Sequence, residues 1–211
     1  GDADYTKGNR FYYLDGLFRM PKVRLIGNII LSFFTKASSG YWSVFDPTNG
    51  YTGLHSALVK PIQVKKVDDG FFFESDMLFR LNIARARVIE VPIPVIYGDE
   101  KSSLSIKANL LPFIFKNLRN LVKRLFYTYF VRNFSIATIE LILGSLMISF
   151  GFYVGSKTWL QSIENGSFAS TGSIMLAVLP IIVGTQMLIS FLTYDLNSEP
   201  KKSVHDRIHG L

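Results

Sequence analysis

The chain has 211 residues, 48% of them apolar and 14% aromatic, and a formal net charge of +7. It has no cysteine, which excludes disulfides, thiolate catalysis and any cysteine-held metal or cluster. Its three histidines suggest no metal site by spacing, because His55 stands alone and His205 and His209 share a polar tail that reads as solvated.

In chain order, Gly1-Asp2-Ala3-Asp4 is neither an initiator methionine nor a signal sequence, so the chain is expected to continue upstream. Residues 4–11 carry a strand pattern ending in Gly8-Asn9-Arg10. Residues 21–36 place apolar side chains at helical spacing behind an opening proline, and Ser38-Ser39-Gly40 ends that helix. Asp46-Pro47-Thr48-Asn49-Gly50-Tyr51 is a turn-rich loop that leads into a predicted helix over 53–58. A further helix is predicted over 77–86, with Glu74, Ser75 and Asp76 at its N-terminal end, where carboxylates suit the helix dipole. Residues 87–96 form a β-branched strand interrupted by Pro92 and Pro94, which places it at a sheet edge.

Up to Gly98 apolar and polar segments alternate as in an α/β domain, whereas beyond Leu110 long apolar stretches dominate. Residues 110–130 (LLPFIFKNLRNLVKRLFYTYF) mix aromatic, aliphatic and basic residues at near-helical spacing. They predict an amphipathic helix in the membrane interface that binds anionic lipid phosphate and not nucleic acid. Residues 134–153, whose only charge is Glu140, and residues 173–192, with none, each supply about the ~20 apolar residues that cross a bilayer. Residues 154–172, with Lys157, Trp159 and Glu164, form the predicted hairpin loop. No acid lies between Glu100 and Glu140, while Lys101, Lys107, Lys116, Arg119, Lys123, Arg124 and Arg132 do. This bias puts the loop outside, with the globular part and the Lys201/Lys202/Arg207 tail cytosolic, most naturally at a bacterial inner membrane. The expected segments are 1–105 globular, 106–132 juxtamembrane, 133–195 hairpin and 196–211 tail.

Three motifs in order carry a resemblance. Asp4-Tyr5-Thr6-Lys7-Gly8-Asn9-Arg10 resembles the "aDyvkGsR" segment of family-2 glycosyltransferases, and Asp46 to Tyr51 resembles their "D-x-x-(S/N)-G-(F/Y)" loop. Phe73-Glu74-Ser75-Asp76-Met77-Leu78 with Arg80, then Val91-Pro92-Ile93, is similar to their acceptor-side acidic motif and "EvPi" strand. With a hairpin following, the chain is most similar to polyprenyl-phosphate and dolichyl-phosphate hexose synthases, although Tyr97-Gly98-Asp99-Glu100-Lys101-Ser102-Ser103 stands where many of them have an Arg followed by "G-x-S-K".

The resemblance implies an α/β fold, the C-terminal half of a GT-A domain, followed by the interfacial helix and two transmembrane helices. It implies a membrane-bound enzyme moving a hexose from a nucleotide sugar to a lipid phosphate, with a divalent metal (Mg or Mn) whose ligands lie upstream. Asp2-Ala3-Asp4 matches the metal-binding DxD only literally. The implied catalytic residues are Asp76 and Asp46. Arg10, Arg24, Asn49, Gly50, Lys101, Ser102 and Ser103 are the implied substrate contacts, the arginines because their fork matches phosphate oxygens. Homo-oligomerisation is compatible with this reading. A sugar-hydroxyl acceptor in polysaccharide synthesis, or a non-catalytic membrane scaffold, are the alternatives.

Overall fold

The computed structural model describes residues 2–12, 22–94 and 106–205, with backbone alone for 22–24 and 106–109. The chain divides into two compact units, residues 1–128 with 199–211, and residues 129–198.

The first unit is mixed α/β around a three-stranded sheet of order β2-β1-β3. Strand β1 (Tyr5–Asn9) lies in the middle. It pairs antiparallel with β2 (Thr52–Leu54) from Tyr5↔Leu54 to Lys7↔Thr52, and parallel with β3 (Val88–Pro92) from Tyr5↔Val88 to Asn9↔Pro92. As the prolines predict, β3 is an edge strand. The helix expected over 53–58 does not form. Residues 52–54 are drawn into pairing with β1, and what remains is one 3-10 turn, Ser56–Leu58, whose Ala57 N–H is capped by the His55 ring at 3.3 Å. Helix α1 (Lys22–Ser39) stops at Gly40, where φ is +76° and a Cβ would lie 2.7 Å from the Arg124 guanidinium, so two independent constraints require glycine. Helix α2 (Phe73–Ile83) begins a turn earlier than expected and buries Met77, Leu78 and Leu81 in the core with Tyr5, Tyr41 and Val88.

Helix α3 (Ile106–Leu125) packs against α1 and α2 with its polar side. Asn117 and Asn120 are 1% exposed and Arg124 is 3% exposed. Asn117 accepts from the Ser38 hydroxyl at 2.5 Å, Asn120 donates to Asp76 at 2.9 Å, and Arg124 donates to the Ala37 carbonyl at 3.0 Å. Its outward side is apolar: Leu111, Phe115, Leu118, Val122 and Phe126 are each more than half exposed. The expectation that the basic residues of this segment collectively face lipid therefore needs correction. Arg124 is buried in protein and Lys116 pairs with Asp68, leaving Arg119 and Lys123 exposed.

His205 is not solvated either, whereas Lys201 and Lys202 are exposed and His209 lies outside the described residues. Asp4, 1% exposed at the head of β1, accepts from the Arg87 N–H, from the Val204 and His205 N–H groups, and pairs with His205 Nδ1 at 2.6 Å. His205 stacks on His55 at 4.3 Å, so the two histidines expected to be apart are in contact. Glu199 accepts from the backbone and hydroxyl of Ser43. The physical reason is the buried carboxylate of Asp4, which needs donors that the sheet alone does not supply.

The second unit is a helical hairpin, α4 (Ile136–Asn165) and α5 (Thr171–Asn197), both long and apolar enough to cross a membrane. The loop predicted over 154–172 shrinks to 166–170. Nothing in residues 154–165 breaks the helix, which ends at Gly166 with φ +58°. Glu140 is met by the Ser190 hydroxyl at 2.8 Å, and Tyr129 donates to Asp195 at 2.7 Å. The helices touch backbone to backbone, since a Cβ on Gly184 would sit 2.7 Å from the Gly144 carbonyl oxygen and one on Gly144 3.0 Å from that of Gly184. Gly184→Leu is expected to cost roughly 1–3 kcal/mol by overpacking, read as a lower melting temperature in detergent micelles. Gly172→Ala, where the nearest atom is 3.9 Å away, is expected to leave it unchanged.

Candidate functional site

Strands β1 and β3 run parallel, and polar groups gather at their C-terminal ends, the usual place for ligands in α/β sheets. Arg10, just beyond β1, forks onto Asp46 with Nε–Oδ2 at 2.8 Å and Nη2–Oδ1 at 3.0 Å, and its own N–H donates to the same carboxylate at 3.2 Å. Asp46 is fully buried while the Arg10 side chain keeps 22% exposure. Asp46 therefore orients Arg10, and Arg10 presents the accessible edge of the pair.

Glu90 of β3 builds the neighbouring turn. One carboxylate oxygen accepts from the Phe45 and Asp46 N–H groups at 2.7 and 2.8 Å, and the other accepts from Asn9 at 2.8 Å. Burial pushes its pKa up, and those three donors hold it back. Asn49 ties the loop to β1, its amide donating to the Gly8 carbonyl at 2.7 Å and its oxygen accepting from Tyr51 N–H at 3.1 Å. Gly8 allows this approach, since a Cβ there would lie 2.9 Å from the Asn49 amide nitrogen. Beneath the loop Lys7, 0% exposed, donates to the Asn49 carbonyl. Desolvation brings its pKa down to about 8 against the pull of the Glu74 and Asp46 carboxylates.

Of the residues singled out in the sequence, Arg10, Asp46, Asn49 and Gly50 come together here. Asp76 does not join them. It is 4% exposed, and its carboxylate accepts from Arg80 Nε at 2.9 Å, Asn120 Nδ2 at 2.9 Å and Asp68 N–H at 3.3 Å, which fastens α2 to α3. The acid of the same motif that does face the loop is Glu74, whose Oε1 lies 3.3 Å from where a Gly50 Cβ would stand. Arg24 lies on α1 without a described side chain, and Lys101, Ser102 and Ser103 fall outside the described residues. Sequence reasoning missed Lys7, Asn9, Glu74 and Glu90 as site residues. Lys7 was detectable as a charged residue sharing the inward face of a strand with Tyr5.

Two cavities meet at this site. One of ≈ 430 Å³ is lined by Asn9, Tyr12, Glu90 and Pro92, and one of ≈ 400 Å³ by Leu25, Ile29, Phe33 and Lys36 of α1. Phe11 and Phe45, in edge contact at 6.0 Å, line both. The first has the polar groups of Asn9, Tyr12 and Glu90 set in an otherwise apolar wall and the second is nearly all apolar, with Lys36 reaching over the Phe45 ring at 5.4 Å. Among the described residues no group of His, Asp or Glu could hold a metal. Asp4 of the literal DxD is saturated by Arg87, Val204 and His205, so these residues do not fit the cation that the resemblance implies. Comparison of the chain with family models, curated proteins and solved structures finds no match.

The buried lysine gives a pH signature. Between about pH 8 and the ordinary lysine value of 10.5 the folded state holds fewer protons than the unfolded one, so stability rises with pH in that window. Above pH 10 the buried Tyr5 hydroxyl, pushed up to about 12, reverses the trend, because the unfolded tyrosine ionises first. The melting temperature of the parent is expected to climb from pH 8 towards 10, and Lys7→Met is expected to abolish that climb.

Proposed function

We propose that this chain is the acceptor side of a membrane-bound glycosyltransferase of GT-A type, which moves a hexose from a nucleotide sugar to a polyprenyl-phosphate-type lipid. The observation that carries the reading is the pair of cavities at the strand ends, one with polar groups set in its wall and one almost wholly apolar, sharing the Phe11/Phe45 wall. An acceptor with a charged head and an isoprenoid chain fits both at once.

In this reading the head phosphate meets the exposed edge of Arg10, held in place by Asp46. A phosphate oxygen attacks the anomeric carbon and the nucleoside diphosphate leaves. That oxygen is already ionised at neutral pH, so no side chain need take a proton from it. Glu74, and not Asp76, is the carboxylate at the acceptor loop, and Asp76 keeps the loop's helix on α3. The resemblance assigns the nucleotide sugar and the divalent metal with its ligands to the first half of a GT-A domain.

The outward apolar faces of α1 and α3 support a position at the bilayer surface, with α4 and α5 crossing it. Residues 128 and 199, which flank the hairpin unit, both belong to the globular unit. This supports an even number of crossings with both flanks on one side, and the basic residues of α3 favour the cytosolic one.

The test is transfer by the full-length parent in membranes, with labelled UDP- or GDP-sugars and added polyprenyl phosphate. Label is expected in the organic phase. In the same assay Ile29→Glu is expected to raise KM for a long polyprenyl phosphate about tenfold, the equivalent of losing roughly two buried methylenes, with little change for a short soluble isoprenyl phosphate. Label confined to aqueous polymer would mean a sugar-hydroxyl acceptor. No transfer from any donor would replace the enzyme with a binding module.

A further inference from the structure

A third cavity, of ≈ 260 Å³, lies in the globular unit and shares no residue with those at the strand ends. Its polar lining is Gln63, Arg80, Lys123 and Tyr127, and its apolar floor includes Phe79 and Ile83. No acidic side chain lines it. Arg80 is held still by Asp76 on one side and by the Lys66 carbonyl, accepting at 2.6 Å, on the other. Lys123 is exposed and makes no hydrogen bond or ion pair among the described residues. The segment that closes the cavity turns through Gln63 in the left-handed region (φ 52°) and carries Lys60, Lys65 and Lys66, all exposed. A fixed guanidinium and a free ammonium over an apolar floor are the elements of an anion site.

The position on α3 says where the anion comes from. Lys123 lies on α3 and Tyr127 in the π-helical turn Phe126–Arg132 that continues it, and each directly follows a residue of the outward apolar stripe, Val122 and Phe126. The cavity thus borders the apolar face of the helix and is not set back from it. A phosphate seated between Arg80 and Lys123 would have its apolar chains lying along Leu118, Val122 and Phe126, each more than half exposed.

We propose that this cavity binds the phosphate headgroup of an anionic phospholipid, a site separate from the acceptor cavity and indifferent to whether transfer occurs. It goes beyond the proposed enzyme and depends only on the chain's placement at a bilayer. Headgroup binding here would clamp α3 to the 60–66 segment and so fix the depth at which the acceptor loop sits.

The experiment uses the chain in detergent micelles doped with phosphatidylglycerol or phosphatidylcholine, with retained lipid counted by native mass spectrometry. The parent is expected to retain phosphatidylglycerol in preference to phosphatidylcholine. Lys123→Gln is expected to cut that retention about fivefold, the loss typical of one basic residue at an anionic lipid surface. Arg119→Gln, the same charge change on the same helix outside the cavity, is expected to leave it within about twofold. Ile83→Trp, which fills the cavity and keeps every charge, is expected to match Lys123→Gln. Equal losses in Lys123→Gln and Arg119→Gln would reduce the effect to diffuse charge attraction and overturn the site. Equal retention of the two lipids would overturn it as well. Displacement of phosphatidylglycerol by millimolar inorganic phosphate would assign the cavity to a soluble anion and overturn the lipid. Because the readout contains no transfer chemistry, its failure is distinguishable from failure of the enzyme reading.

Discussion

Helix α3 is amphipathic the wrong way round for water. Its amides and one guanidinium are buried against α1 and α2, where each of Asn117, Asn120 and Arg124 finds a partner, while its aliphatic and aromatic side chains face outward. Burying polar groups costs free energy unless they are bonded, and exposing a row of large apolar groups forgoes roughly 25 cal/mol for each Å² left in water. Both choices become sensible if the outer medium is itself apolar. The packing of α1 and the anchoring of α2 through Asp76 follow from that one helix.

The strand-end site obeys a related economy of charge. Asp46 is a buried acid and Glu90 a half-buried one, and neither is spare. Asp46 is neutralised by the Arg10 fork, and Glu90 is met by two backbone N–H groups and the Asn9 amide. Lys7 sits beneath them as a cation with one carbonyl partner. Such an arrangement holds the 46–51 loop rigidly, because moving any member strands a charge in a place that water does not reach. The residues at the margin of this arrangement, each partly exposed, are Arg10 and Glu74.

Much of this was legible beforehand, and the exceptions have physical causes. The two apolar helices, the edge strand with its prolines and the helix that ends at Gly40 are local patterns, and they stand where periodicity and turn chemistry put them. The strand Thr52–Leu54 was read as helix because three residues carry no period, and only pairing with β1 fixes their conformation. Asp76 and Glu74 are two residues apart in one motif, and which of them turns to the loop is decided by Asn120, more than forty positions away. The basic residues of α3 looked like one lipid-facing set because charge says nothing about which side of a helix a partner occupies. His205 looked solvated for the same reason, since its partner Asp4 is separated by almost the whole chain. The glycosyltransferase motifs were legible as a resemblance, and the structure adds the geometry on which that proposal can be tested.

The Asp4–His205 clasp also sets an order of assembly. It joins positions 201 apart in sequence, with both helices of the hairpin between them. Contacts of such separation are the last to form, because the whole intervening chain must first be placed. A ribosome making this protein would release the strand that carries Asp4 long before the residues that satisfy it. Until Val204 and His205 have been made, that carboxylate lacks its final donors. The globular unit therefore completes itself only after both hairpin helices have been synthesised, and a chain cut short within them carries its own marker of incompleteness.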